Sequence, residues 1–326
     1  MKYKIASGIA SRRDCITVIA FPDDGTNAWD YDYSQIAYYD VSADESEDWS
    51  NTTNEWYATS QCMSYQSIFH ESEGLVRAYI DLGREGEVTV WIPSRKKTID
   101  EFIPDAGLYK SWSKKYGYVL CVKEIGQHLY VCGDNNQVYR RSDSGIWEHI
   151  DQGILKEFSS DTWTFLSDIN GLSEDDIYAV GDKGSIYHYT GRGWTVVPHN
   201  AGEEKLSKVK IISKDIVYIV GDNGTILKGN CRDGFKDLSS LMHIQHYTDI
   251  EFFDGVLYLA SNKGMFILDY ATDEVRKYKT DLVTDLQDTH KLSAKDGVLW
   301  SIGIKDIAWF DGKSWTRVDI PGNPKI

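Results

Sequence analysis

Short apolar runs bounded by turn residues recur along the chain. From Asp176 to Trp194, "DIYAVGDKGSIYHYTGRGW" reads as an apolar strand, a Gly-containing turn, a second strand, another turn and a Trp. Aligned on the first Gly of "VGDKG", the unit returns at Gly83, Gly133, Gly181, Gly221, Ser261 and Gly303. Its second half returns as Trp147, Trp194, Phe235 and Trp315, each a few residues after a Gly-containing turn. Each copy opens on an alternating pair such as "LYV", "IYAV", "VYIV", "LYLA" or "LWSI". The "GDKG" and "GDNG" turns have the composition of type I′ hairpin turns, whose two central residues both need positive φ.

A strand-only unit with a period of 40 to 50 residues predicts a β-propeller. A lone four-stranded sheet cannot bury both faces; stacked around an axis, each sheet covers its neighbour, and the Trp or Phe fills the space between. Six units are visible. Residues 1–55 supply a seventh, divergent one through "CITVIAFPDDG" and "SQIAYYDVS". The expectation is an all-β chain forming one seven-bladed propeller over residues 1–326. A β-sandwich, a pair of unrelated β domains and a β-helix are the competing architectures.

Composition adds a charge asymmetry. The formal net charge is −15, and between Asp14 and Val76 stand thirteen acids and no Lys or Arg. The same segment holds Trp29, Tyr31, Tyr33, Tyr38, Tyr39, Trp49, Trp56 and Tyr57. "SADESEDWSNTTNEWY" is too polar for a blade strand and too long for a hairpin turn, which predicts an acidic, aromatic loop insertion at about 40–57. Clustered carboxylates steer a basic partner, and Trp and Tyr anchor it. The expected partner-binding residues are Trp29, Asp30, Asp32, Asp44, Glu45, Glu47, Asp48, Trp49, Glu55 and Trp56. The plain alternative is a solvated acidic loop that aids solubility. Nucleic acid is disfavoured as a ligand, because phosphates are repelled.

Residues from about 75 to 320 resemble bacterial propeller repeats with "DIYaVGdnGxIxhydGxxW" units, akin to the photosystem assembly-factor and sialidase-type (BNR) propellers and distantly to WD40 repeats. No unit carries the Gly-His and Trp-Asp pair of WD40. "RSDSGIW" only loosely approaches an Asp-box, and no arginine triad or Tyr nucleophile aligns, so the resemblance argues against glycosidase chemistry. An acidic one-domain propeller of this kind also resembles the immunity proteins of polymorphic or type VI secreted toxins. That resemblance implies a cytoplasmic, non-catalytic protein that occludes a cognate toxin's basic cleft in a 1:1 complex. A scaffold binding a basic client, and a hydrolase or lyase with a central-channel site, are the alternatives.

Chemistry-bearing motifs are sparse. His243 and His246 in "HIQH" are the one close His pair, and strand geometry would point them apart. No EF-hand or P-loop pattern occurs. Asp175, Asp176 and Asp215 belong to turns before repeat strands. The five Cys are widely spread and never in CxxC, which suits a reducing compartment. No apolar run is long enough to cross a membrane. No cofactor and no metal are expected, and Arg12 and Arg13 have no assigned role.

Overall fold

The computed structural model describes residues 2–43, 49–65, 77–108, 116–157 and 163–325. Among them, twenty-eight strands form seven four-stranded antiparallel sheets, a seven-bladed β-propeller. Blade 1 holds β1 (Tyr3–Arg12), β2 (Cys15–Pro22), β3 (Ser34–Asp40) and β4 (Trp49–Asn54). Blade 2 runs from β5 (Ala58–Ser64) through β6 (Ala78–Gly83) and β7 (Glu87–Ile92) to β8 (Lys97–Phe102). Blade 3 comprises β9 (Val119–Ile125), β10 (His128–Gly133), β11 (Val138–Arg141) and β12 (Trp147–His149). Blade 4 comprises β13 (Leu166–Ser173), β14 (Asp176–Gly181), β15 (Ile186–Tyr189) and β16 (Trp194–Val196). Blade 5 comprises β17 (Leu206–Ser213), β18 (Ile216–Gly221), β19 (Ile226–Asn230) and β20 (Gly234–Asp237). Blade 6 holds β21 (Tyr247–Phe253), β22 (Val256–Ser261), β23 (Gly264–Leu268) and β24 (Val275–Lys277). Blade 7 holds β25 (Lys291–Lys295), β26 (Val298–Ile302), β27 (Ile307–Phe310) and β28 (Trp315–Val318).

Contacts divide the chain into two compact units. One contains Met1–Tyr57, Val220–Ile226 and Leu238–Ile326; the other contains Ala58–Ile219 and Leu227–Asp237. In the first unit blade 7 packs directly on blade 1. Ile5 N donates to Ile304 O at 2.8 Å, and Asn323 closes two hydrogen bonds with the Tyr3 backbone. Val18, Trp300, Ile302 and Ile307 fill the seam. Among the described residues, each sheet is built from four strands consecutive in sequence.

The repeat residues have physical reasons. Second strands such as β18, "IVYIVG", are buried from their second residue on, so an uninterrupted apolar run suits a strand covered on both faces. The turns are of the expected kind. Asn135 and Asn136 have φ of 53° and 61°, Lys183 and Gly184 have 53° and 64°, and each turn closes by an i to i+3 hydrogen bond. The repeat Gly is required by crowding: a Cβ at Gly181 would stand 1.9 Å from Phe165 O, where the chain enters the blade's first strand.

Two further features recur. Where the outermost strand carries a Trp, its indole N–H donates to the preceding blade: Trp147 to Glu101 Oε2 at 3.1 Å, Trp194 to Ile150 O at 2.8 Å, Trp315 to Tyr278 OH at 3.2 Å. A polar side chain on the innermost strand accepts a backbone N–H from the next blade. Ser60 takes Val122 N, Asp168 takes Val209 N, Asp249 takes Leu292 N and Ser293 takes Ala10 N, at 2.9–3.2 Å. This polar position escaped the sequence reading because Ser and Asp alternate at it.

Candidate functional site

The blade 1 meander separates the residues expected to form one binding surface. Arg12 pairs with Cys15 and Cys15 with Asp40, so the β1–β2 turn and the β3–β4 connection share one end of the sheet. Tyr3 pairs with Pro22 and Ser34 with Asn54, so the β2–β3 loop and the chain leaving β4 share the other. Seven strand residues put these ends about 20 Å apart. Trp29, Asp30, Asp32, Glu55 and Trp56 stand at the second end. Asp44, Glu45, Glu47 and Asp48 lie outside the described residues; their flanks, Ala43 and Trp49, stand at the first.

Two expectations are corrected here. Trp49–Asn54, read as loop, is the outermost strand of blade 1, because its Thr and Asn residues suit a solvated edge. Trp49 is the blade 1 copy of the repeat aromatic rather than a free anchor. It opens the strand opposite Tyr39, packs on that ring at 4.9 Å, and donates to Asp319 O at 3.0 Å across the blade 7 seam. Its acidic surroundings hid the match to Trp147, Trp194 and Trp315.

The β2–β3 loop is built around stacked rings. Trp29 lies on Tyr57 at 5.1 Å and Tyr57 on Phe21 at 4.8 Å; Phe21 in turn meets Tyr31 at 5.8 Å. Phe21 and Tyr57 are buried, whereas Trp29 ends the stack half exposed, at 50%. Asn27 holds the Trp29 backbone N–H at 3.2 Å. An exposed indole is thereby fixed before any partner arrives.

Several acids around it already have partners. Asp23 bridges Lys4 at 3.0 Å and Lys305 at 2.5 Å, which lowers its pKa, Lys305 first. Asp24 accepts the Tyr31 hydroxyl at 2.6 Å and, through that bond and the Thr26 backbone, is held down to about 2. At the far end Arg12 pairs with Asp14 and Asp40, giving this arginine a structural role. Burial opposes ionisation of Asp40, but Ser42 and Arg12 outweigh it and hold its pKa low. Asp30, Asp32 and Glu55 are exposed and form no ion pair among the described residues.

The same end of this unit carries apolar side chains that sequence reasoning missed. In an up-and-down meander the β26–β27 turn and the connections into β21 and β25 emerge where the β2–β3 loop does. Ile304 stands on that turn, Val283 (93% exposed) on the connection into β25, and Leu241 (97%), Met242 and Ile244 on the connection into β21. The signal was "SSLMHIQHY", an apolar pair inside a polar inter-repeat connection. His243 and His246 in that segment face different groups: the first meets the Phe266 ring and the second Asp222 at 3.3 Å. Among the described residues no three His, Cys, Asp or Glu side chains converge on a common point.

No family model matches the chain. It is 30% identical over 210 residues to the immune protein Tsi7 of Pseudomonas aeruginosa, a match covering 62% of this chain and 63% of that protein. Among solved structures it superposes on the WD40 propeller of Doa1, with TM-score 0.62 and 8% identity over 94% of this chain and 95% of the other. YCF48 bound to D1 peptide gives 0.61 and 12% over 97% and 92%. Virginiamycin B lyase from Staphylococcus aureus gives 0.59 and 12% over 81% and 84%. At these identities the three structures share the fold alone. No helix among the described residues is long and apolar enough to cross a membrane.

Proposed function

We propose that the chain is an immunity protein: a non-catalytic propeller that binds a cognate toxin and occludes its active site. The observation that carries this reading is the 30% identity to the immune protein Tsi7 over 210 residues. The surface that suits it is the end of the first unit bearing Trp29. A fixed, half-exposed indole and the apolar side chains Leu241, Met242, Ile244, Val283 and Ile304 supply the contact core. Asp30, Asp32 and Glu55 supply an acidic rim for a basic partner. Apolar centres with polar rims are how stable interfaces are built, and rigid Trp anchors carry a large share of their energy. The partner is a toxin domain whose substrate cleft is basic. Rim carboxylates take the place of substrate phosphates, and no nucleic acid is bound by the propeller itself.

The test is capture of the partner on the tagged chain from source-cell lysate at low and high salt, followed by assay of the isolated partner with and without the chain. A stoichiometric basic protein, released more readily by salt and inactivated by the chain, is the expected result. Binding without inhibition would instead make the protein a scaffold, and no partner at either salt would remove the immunity reading.

A further inference from the structure

The second unit holds a pair of thiols that protein binding does not use. Cys121 on β9 and Cys132 on β10 are direct Cα partners across the antiparallel hairpin. Opposed residues in such a ladder have Cα atoms about 4.5–5.5 Å apart, inside the 4.4–6.8 Å range of disulfides. Both are free and buried, with Cys121 6% exposed and Cys132 fully enclosed. Ten residues stand between them in sequence, so no CxxC-type spacing announced the pair.

Their surroundings are polar on one side. The Cys121 thiol donates to Asp168 Oδ1 at 3.3 Å, and Lys208 Nζ stands 2.9 Å from that same oxygen. The Cys132 thiol points to Leu166 O at 3.7 Å. The hydrogen bond from Cys132 holds the Cys121 pKa below the ordinary thiol value, against the effect of burial. Burial holds Cys132 protonated. Cys121 is the more exposed of the two and hydrogen-bonds Asp168, which suits it to attack, and the enclosed Cys132 opposite it is placed to resolve.

We propose that Cys121 and Cys132 form an oxidisable dithiol that hydroperoxides close to a cross-strand disulfide. Cys121 sulfur attacks the peroxide oxygen; the O–O bond breaks, and the departing hydroxide takes the thiol proton by way of Asp168 to leave as water. Cys132 sulfur then attacks the Cys121 sulfenic acid; the S–S bond forms, the S–O bond breaks, and the Cys132 proton leaves with the hydroxide as a second water. One hydrogen peroxide is reduced to two waters for each disulfide formed.

The experiment uses the whole chain with Cys231→Ser, which removes the one exposed thiol. Hydrogen peroxide is added at the level that oxidises Cys231 in the unsubstituted protein, and the monomer is digested with trypsin without reduction. Peptides Tyr116–Lys123 and Glu124–Arg140 are expected as one linked species, with free thiols falling from four to two. Adding Cys132→Ala should leave a dimedone adduct on Cys121. Unlinked peptides overturn the proposal, whether the thiols stay reduced or Cys121 is found as an unlinked sulfinate.

Discussion

Asp134→Asn tests the electrostatics of the repeat turns. Asp134 is 4% exposed at the start of the β10–β11 turn, and its Oδ2 accepts Tyr118 N at 2.9 Å. Burial raises its pKa from 3.8 to about 6, only partly offset by that bond and one from Trp163. The folded state therefore holds this proton more tightly than the unfolded chain. Its stabilising effect is complete below about pH 4 and fades as pH rises through 6. The full shift corresponds to about 3 kcal/mol, of which about 1.4 kcal/mol is lost between pH 5 and pH 7.5. Asparagine keeps the shape and an acceptor but does not ionise. Urea unfolding of both proteins at pH 5, 6 and 7.5 gives the stability difference. Acids common to the two cancel, including Asp24 and Asp233 near 2, which titrate below the window. The variant should gain about 1.4 kcal/mol on the wild type as pH rises across the window. A flat difference, or one of opposite slope, would show that the carboxyl is not held protonated.

Four other variants have outcomes set by the same structure. Trp49→Ala should lower stability by about 2 kcal/mol through the lost seam contact and Asp319 hydrogen bond, measured by urea unfolding, while binding through the opposite end of blade 1 persists. Trp29→Ala should do the reverse: calorimetry should show partner affinity falling at least about tenfold with the melting temperature nearly unchanged. Gly181→Ala, with Phe165 O in the way, should cost about 3 kcal/mol or more. Gly193→Ala, whose Cβ would meet nothing within 4 Å, should stay within about 0.5 kcal/mol.

The sequence by itself determined the propeller, its seven blades and its turns, because these are local and repeated. A Gly with no room for a Cβ, a turn with positive φ and an aromatic near the start of the fourth strand each leave their mark in several copies. The binding residues form no such pattern, since a partner is met once. Only the tertiary structure decided which acids are taken up in ion pairs: Asp23 pairs with Lys4 and Lys305, and Asp40 with Arg12, all bases outside the acidic segment. Only the meander decided that Trp29 and Trp49 lie at opposite ends of one blade, because strands reverse direction where sequence distance does not. It likewise brought Cys121 to face Cys132 and gathered the exposed apolar connections onto the end that carries Trp29.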